Sequence, residues 1–135
     1  LFRTFPCNES YNNAEGLLPL RHLLYAYSER NPDIGYCQSM NFIGAVLLLY
    51  LSEEQAFWVL AAMIEDILPP NYYSVDMMGS RVDQLVFYSC LAWKLPKLYA
   101  HFKEHNMILE PVICPWFLCL YINILPLSGM YYYSM

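Results

Sequence analysis

Apolar residues near the start of the chain recur at intervals of three and four positions. This spacing is typical of an amphipathic helix with one buried face, and its members are Leu17, Leu20, Leu24 and Tyr27. The helix is expected to stop before Asn31, because a residue that precedes a proline is biased away from helical geometry. A polar loop then leads to the next apolar run.

Five further helices are predicted along the rest of the chain. Four of them are expected at Tyr36–Leu51, Glu53–Ile67, Pro96–His105 and Pro111–Leu125. The remaining one lies between the second and third of these ranges, with Asp76 as its cap and its end near Trp93. Ser52 precedes two glutamates and is the expected N-cap of the third helix. No period-two alternation is long enough for a strand. The sequence therefore predicts an all-α fold of about six helices.

Composition narrows the class of protein. The chain has 135 residues, of which 58% are hydrophobic and 14% charged, whereas ordinary soluble domains carry about 25% charged residues. This composition excludes intrinsic disorder. Seven basic and twelve acidic residues give a formal charge of −5. Since the basic residues form no cluster, neither nucleic-acid binding nor polybasic membrane attachment is expected.

Two apolar segments raise the alternative of a small helical membrane protein. Phe42–Leu51 is shorter than the roughly 20 residues that a spanning helix needs. Residues 112–135 include no charged residue, but Pro115, Asn123 and Pro126 interrupt them. No integral membrane association is therefore expected.

Five cysteines without a Cys-x-x-Cys pair favour free thiols in a reducing compartment, and hence a cytoplasmic location.

Metal and thiol chemistry find little support in the residue pattern. His101 and His105 lie four residues apart, but no His-Glu-x-x-His pattern is present. They are interpreted as solvated residues at a helix end, and no metal site is expected. A thiol hydrolase would need Cys37 beside a histidine such as His22, and nothing in the sequence brings them together. No glycine-rich phosphate loop is present, so no nucleotide cofactor is expected.

One polar block, "NPDIGYCQSMN", directly precedes the apolar run Phe42–Leu51. Its glutamine, Gln38, is neither an acid nor a base, but an amide can both donate a hydrogen bond to a water molecule and accept one from it. Catalysis of phosphoryl transfer uses such a group to aim water at a phosphate, while an arginine stabilises the developing charge. Arg3 could supply that charge, although periodicity alone does not bring it to Gln38.

Four segments, "RTFP", "NPDIGYCQSMN", "VDQLVF" and "PWFLCLYINILP", occur in an order that closely resembles the TBC domain of Rab GTPase-activating proteins. The resemblance covers nearly the whole chain to Pro126. It implies a helical domain that binds a GTP-bound Rab GTPase and uses no cofactor of its own. Such a domain is an activator rather than a free-standing enzyme, cytoplasmic or held peripherally on endomembranes through the Rab.

The resemblance also implies two catalytic residues. The arginine finger of the family lies in the pattern IxxDxxR and corresponds to Arg3, and the glutamine of YxQGMN corresponds to Gln38. Arg3 would neutralise charge on the phosphates, and Gln38 would position the attacking water. The residues expected to support these two or to contact the GTPase are Tyr36, Ser39, Asn41, Arg30 and Asp33.

This sequence departs from the family pattern in three ways. Ser39 replaces the usual glycine and is expected to crowd the GTPase. The isoleucine and aspartate of the arginine motif would lie before Leu1, and the family domain continues with further helices. Residues 1–135 are therefore expected to form part of a TBC domain. A catalytically silent Rab-binding module remains the alternative interpretation.

Overall fold

A computed structural model describes residues 14–122, 124 and 125, and within these residues it contains helices and turns but no strand. The six α-helices are α1 (Ala14–Arg30), α2 (Met40–Tyr50), α3 (Glu53–Ala62), α4 (Met78–Lys94), α5 (Pro96–Glu104) and α6 (Glu110–Leu118). A π-helical turn, Met63–Ile67, extends α3. The predicted all-α fold is confirmed. In this part of the chain, no helix is both long and apolar enough to cross a membrane.

Helices α1, α2 and α3 pack against one another around the larger of two apolar cores, the N-terminal cluster. Its buried residues are Leu17, Leu20, Leu23, Leu24, Tyr27, Cys37, Met40, Ile43, Ala45, Ala56, Leu60, Ala61, Ile64, Tyr72, Tyr73, Leu118 and Ile122. Gly44 allows α1 and α2 to approach closely, because a Cβ there would lie 2.9 Å from Leu23 Cδ2. The helix predicted from the leucine spacing thus buries the expected face.

A smaller core, the C-terminal cluster, lies between α4, α5 and α6. Its buried residues are Leu91, Leu109 and Ile113, and its partly buried ones are Phe87, Tyr88, Tyr99, Phe102, Trp116 and Phe117. The Phe87 ring meets the Trp116 ring edge to face, with centroids 6.0 Å apart, an arrangement that aromatic rings favour. Aromatic side chains therefore hold α4 and α6 together.

The end of α6 joins the two clusters. Leu118 is the last residue of α6 and Ile122 follows the helix, yet both belong to the N-terminal cluster. The hydroxyl of Tyr73 donates a hydrogen bond of 2.8 Å to the Leu118 carbonyl oxygen. Burial strongly raises the pKa of Tyr73, so the phenol remains a neutral donor. This bond fixes the chain where the two cores meet.

The predicted start of the second helix is wrong. The expected first residue was Tyr36, whereas α2 begins at Met40. Two residues before it have positive φ values, Gly35 at 61° and Ser39 at 101°, and an L-residue helix does not continue through that region. Gln38 therefore lies on a turn that precedes the helix.

The third helix follows the predicted bounds, but its last turn has a different backbone. Ser52 caps α3 as expected: its Oγ accepts a hydrogen bond from the Gln55 N–H at 3.4 Å, and Gln55 Oε1 accepts one from the Ser52 N–H at 3.2 Å. The π-helical turn Met63–Ile67 closes with the Leu68 N–H donating to the Met63 carbonyl at 2.9 Å. Hydrophobic spacing does not distinguish such a turn from an α-helical one.

The bounds of the later helices differ from the prediction mainly in α4 and α6. Helix α4 begins at Met78, and its N-cap residue is Met77 rather than the expected Asp76. The Asp76 carboxylate nevertheless accepts the Met78 N–H at 3.4 Å. Helix α6 ends at Leu118 rather than at Leu125. It stops because Leu120 enters the left-handed region, with φ of 50°.

Candidate functional site

The segment between α1 and α2 places Gln38 at the surface on a well-anchored backbone. Hydrogen bonds at the end of α1 fold the chain back on itself. The Asn31 N–H donates to the Tyr27 carbonyl at 3.0 Å, and the Asn31 carbonyl accepts from the Gly35 N–H at 2.8 Å. Gly35 supplies the positive φ that this tight return requires. The sequence thus forms a fixed loop between two packed helices.

Side chains along the next four residues alternate between outside and inside. Tyr36 and Gln38 are exposed, whereas Cys37 and Ser39 are buried. Tyr36 and Gln38 therefore reach solvent, while Cys37 between them belongs to the N-terminal cluster.

Asn41 holds this segment from within the first turn of α2. Its side chain is buried, and its Oδ1 accepts hydrogen bonds from the Ser39 N–H at 3.2 Å and from the Tyr36 hydroxyl at 3.5 Å. Partial burial raises the pKa of Tyr36, as does the neighbouring Cys37, so the phenol stays protonated and can donate. Asn41 therefore fixes the backbone after Gln38, at Ser39, and holds the side chain of Tyr36 before it.

The serine at position 39 turns inward. Its side chain is 7% exposed, and it hydrogen-bonds the Cys119 thiol. Burial raises the pKa of that thiol, and the bond from Ser39 opposes the rise. The φ of 101° at Ser39 lies in the region that favours glycine, which gives a physical reason for the glycine expected in this motif. The structure thus places the Ser39 side chain away from the surface that carries Gln38.

Cys37 lies behind Gln38 as a buried thiol, as the sequence suggested. Its Sγ donates to the Gln38 carbonyl at 3.4 Å, and its N–H donates to Met40 Sδ at 3.4 Å. Burial raises the pKa of Cys37, and a raised pKa disfavours the nucleophilic thiolate. His22 lies elsewhere, with Nδ1 3.2 Å from a Glu53 carboxylate oxygen. These contacts describe a structural cysteine.

Arg30 has partners within the chain. Its Nε and Nη2 donate to the two carboxylate oxygens of Glu65 at 3.2 and 3.0 Å, and its guanidinium lies over the Trp58 ring, 5.3 Å from the centroid. The hydrogen bond from Arg30 lowers the pKa of Glu65. Arg30 thus ties the end of α1 to the π-helical turn after α3. Asp33 is exposed on the loop.

A groove next to Tyr36 has no obvious signature in the sequence. It has a volume of about 320 Å³ and is lined by Arg21, Leu24, Tyr25, Ser28 and Tyr36. Four of these residues lie on α1, on positions three or four apart that share one helix face. Arg21 forms no ion pair with any residue of the described part. The groove therefore combines an apolar floor with an available positive charge.

Arg3, the expected arginine finger, lies outside the described residues. Of the other predicted site residues, Tyr36 and Ser39 are hydrogen-bonded to Asn41 at the start of α2, and Gln38 lies between them in the chain. Arg30 is engaged with Glu65 instead. Sequence reasoning did not identify Arg21 or Tyr25, since nothing along α1 marks which exposed residues border the loop.

Comparisons with known proteins agree with this arrangement. The family profile described as the Rab-GTPase-TBC domain matches residues 1–131. TBC1 domain family member 2B of Xenopus tropicalis is 44% identical over 125 residues, which cover 91% of this chain and 13% of that protein. A TBC domain-containing protein of Schizosaccharomyces pombe is 49% identical over 112 residues, covering 82% of this chain and 14% of that protein.

A solved structure shares the fold. The crystal structure of the Chlamydomonas flagellar RabGAP TBC domain superimposes with a TM-score of 0.80 at 35% identity, and the match covers 92% of this chain and 41% of that one. The chain therefore belongs to the Rab-GTPase-TBC domain family. It spans less than a sixth of the length of the two relatives named above.

Proposed function

We propose that this chain contributes a catalytic surface of a Rab GTPase-activating protein, with GTP-bound Rab as its partner. Gln38 is the observation that carries this proposal. It is exposed on a segment whose neighbours Cys37, Ser39 and Met40 are buried. A side chain presented from so fixed a backbone is suited to enter the site of another protein without a large loss of conformational entropy.

In this mechanism the Gln38 amide orients the water that attacks the γ-phosphate of GTP. The amide oxygen accepts a hydrogen bond from the water, and its N–H₂ group donates to a phosphate oxygen. Asn41 keeps the backbone in place through its bond to the Ser39 N–H. Arg3 supplies positive charge to the phosphates as they separate. The chain acts as an activator, since nucleotide and Mg²⁺ are bound by the GTPase.

Gln38 variants test its role. In single-turnover phosphate release from Rab·GTP, Gln38→Ala should slow the stimulated rate by about 10²–10³-fold, the range seen when one polar group that stabilises a transition state is removed. Gln38→Asn keeps the amide but shortens its reach, so it should be nearly as slow. Rab binding should change little in both variants. Near-normal rates with Gln38→Ala would contradict the proposal.

Arginine variants test the second catalytic group. Arg3→Ala and Arg3→Lys should both remove about 10³-fold or more of the stimulation, the contribution typical of arginine fingers. Lysine should not restore it, because an ammonium group lacks the planar set of donors of a guanidinium. A lysine variant as fast as the unsubstituted chain would assign Arg3 a purely electrostatic or binding role.

The groove beside Tyr36 is proposed as the binding site for a side chain of the GTPase. Its lining includes Tyr36, which lies two residues before Gln38 in the same loop. Arg21 at its edge favours an acidic residue in the partner. Arg21→Glu should therefore raise the KM for Rab·GTP with little change in kcat. Lys97→Glu on α5 makes the same change in net charge and serves as the control.

A catalytically silent Rab-binding module is the alternative. It was suggested by crowding from Ser39, but that side chain is turned toward Cys119. A chain that bound Rab·GTP without stimulating hydrolysis would favour the silent module. Ser39→Gly is then the first variant to examine, since restored hydrolysis would identify Ser39 as the cause.

A further inference from the structure

The last turn of α5 brings two histidines and a glutamate together on one face. His101, Glu104 and His105 are all exposed, and one nitrogen or oxygen atom from each can be chosen so that all three lie within 4.8 Å of one another. The two imidazole centroids are 4.4 Å apart. We propose that this trio is a binding site for a borderline transition-metal cation such as Zn²⁺.

The donor set decides the class of cation. Two imidazole nitrogens and one carboxylate oxygen suit Zn²⁺, Cu²⁺ or Ni²⁺, whereas Mg²⁺ and Ca²⁺ prefer oxygen ligands alone. A zinc–nitrogen bond is about 2.0–2.1 Å long, so a cation between the two rings needs only side-chain rotations to reach both. Exposure leaves the remaining coordination positions to water.

The helix supports a cation at this position. The trio lies in the last turn of α5, where the helix dipole presents its negative end. His105 is the C-cap residue, and its N–H donates to the His101 carbonyl at 3.1 Å. Lys103 is about 200° around the helix from both histidines, and its ammonium lies over the Tyr99 ring, 5.1 Å from the centroid. The lysine charge is thus on the opposite face.

The end of α5 is also geometrically defined. Asn106 adopts a left-handed φ of 49°, and the Met107 N–H donates to the Phe102 carbonyl at 2.9 Å. These features form a Schellman motif. None of the nine residues of α5 is buried, so a cation that bridges its last turn would add a constraint that a buried face does not supply.

The order His-x-x-Glu-His also occurs in a class of zinc hydrolases, where the glutamate acts as a base. Such a catalytic site needs a third protein ligand besides the two histidines. In the part of the chain that the structure describes, the cluster consists of these three residues. The trio is therefore suited to cation binding rather than hydrolysis, in place of the solvated helix end expected from the absence of His-Glu-x-x-His.

Zinc titration of the full chain tests the site, with imidazole nitrogen signals followed by NMR. We expect the signals of His101 and His105 to shift together and to saturate at one equivalent of ZnCl₂, and MgCl₂ to have no such effect. His101→Ala or His105→Ala should weaken binding by at least tenfold. Glu104→Gln should weaken it less, because two imidazoles remain.

Two controls separate this site from other donors. His22→Ala removes another exposed histidine, which pairs with a glutamate but has no second imidazole beside it. Cys90→Ser removes an exposed thiol. Both should leave the zinc response of His101 and His105 unchanged. Absence of a saturable shift at these two residues, or its loss in the Cys90→Ser variant alone, would overturn the proposal. All these side chains are exposed, so circular dichroism should show intact helices in every variant.

Discussion

The two halves of the described chain differ in how completely their apolar side chains are buried. In the N-terminal cluster Leu20 and Leu60 have no exposed surface and Ile43 has 1%. In the region of α4 and α5, by contrast, Trp93 is 73% and Leu85 67% exposed. The half formed by α1, α2 and α3 has a well-buried core and is called the closed half. The half formed by α4, α5 and α6 has a small aromatic cluster and exposed apolar side chains, and is called the open half.

This difference explains where the candidate catalytic residue lies. Gln38 belongs to the closed half, in which buried residues on either side of it restrict the backbone. Residues that must be held in a precise position are best supported by a rigid, well-packed shell. The open half exposes large apolar side chains on α4, among them Leu85 and Trp93, and exposed apolar surface favours contacts with other polypeptide.

The largest effect should come from removing a buried side chain of the closed half. Leu20→Ala should lower the free energy of unfolding by about 2–5 kcal/mol, because a buried leucine loses both transfer energy and packing contacts. Leu98→Ala on α5, where the side chain is 40% exposed, should change it by less than about 0.5 kcal/mol. Urea unfolding followed by circular dichroism measures both. Equal losses would refute the contrast between the halves.

A smaller effect is expected from the support beneath Gln38. Asn41→Ala removes the acceptor of the Ser39 N–H and the Tyr36 hydroxyl, and leaving the buried Ser39 N–H unsatisfied costs about 1–3 kcal/mol. Tyr36→Phe removes only the longer bond and should cost no more than about 0.5–1.5 kcal/mol. The double variant should be less destabilised than the sum of the two, since both remove the same bond. Additive losses would show that Asn41 acts through other contacts.

The smallest effect concerns the ion pair between α1 and the π-helical turn. Arg30 lowers the pKa of Glu65 in the folded chain, so the stabilisation is present above the unfolded pKa of about 4.3. It is lost as the pH falls through the lowered folded value. Glu65→Gln and Arg30→Ala should each weaken the dependence of the free energy of unfolding on pH in this acidic range. The difference from the unsubstituted chain should be larger at low salt. If the pH dependence of stability in the acidic range were unchanged in Glu65→Gln, this dependence would come from other carboxylates.

The ends of α5 and α6 show how far the sequence predicts the fold. Both helices end in the same way, with a residue of left-handed φ after the last turn. In α5 this residue is Asn106, which tolerates that conformation, and the predicted end at His105 lies within one residue of the observed one. In α6 it is Leu120, a residue type that ordinarily avoids it. The residue type at the end of α6 therefore did not predict that the helix would stop there.

The candidate site shows the same limit. The family resemblance selected Gln38, Ser39 and Asn41, whereas the hydrophobic pattern predicted a helix from Tyr36 that would have included Gln38. The positive φ of Ser39 keeps Gln38 outside α2, which begins only at Met40, and a serine in the left-handed region has no signal in the hydrophobic pattern. The groove beside Tyr36 and the cluster of His101, Glu104 and His105 both depend on which side chains lie close together in the folded chain. Residue spacing along one helix predicts such contacts only in part.

The most direct test of the central claim uses a Rab GTPase whose own catalytic glutamine is replaced by alanine. If Gln38 supplies the amide that positions water, the unsubstituted chain should still accelerate single-turnover phosphate release from this Rab. The Gln38→Ala variant should not accelerate it, although it should bind equally well. Failure of the unsubstituted chain to stimulate the substituted Rab, while it stimulates the natural one, would show that the GTPase provides its own glutamine and would contradict the account.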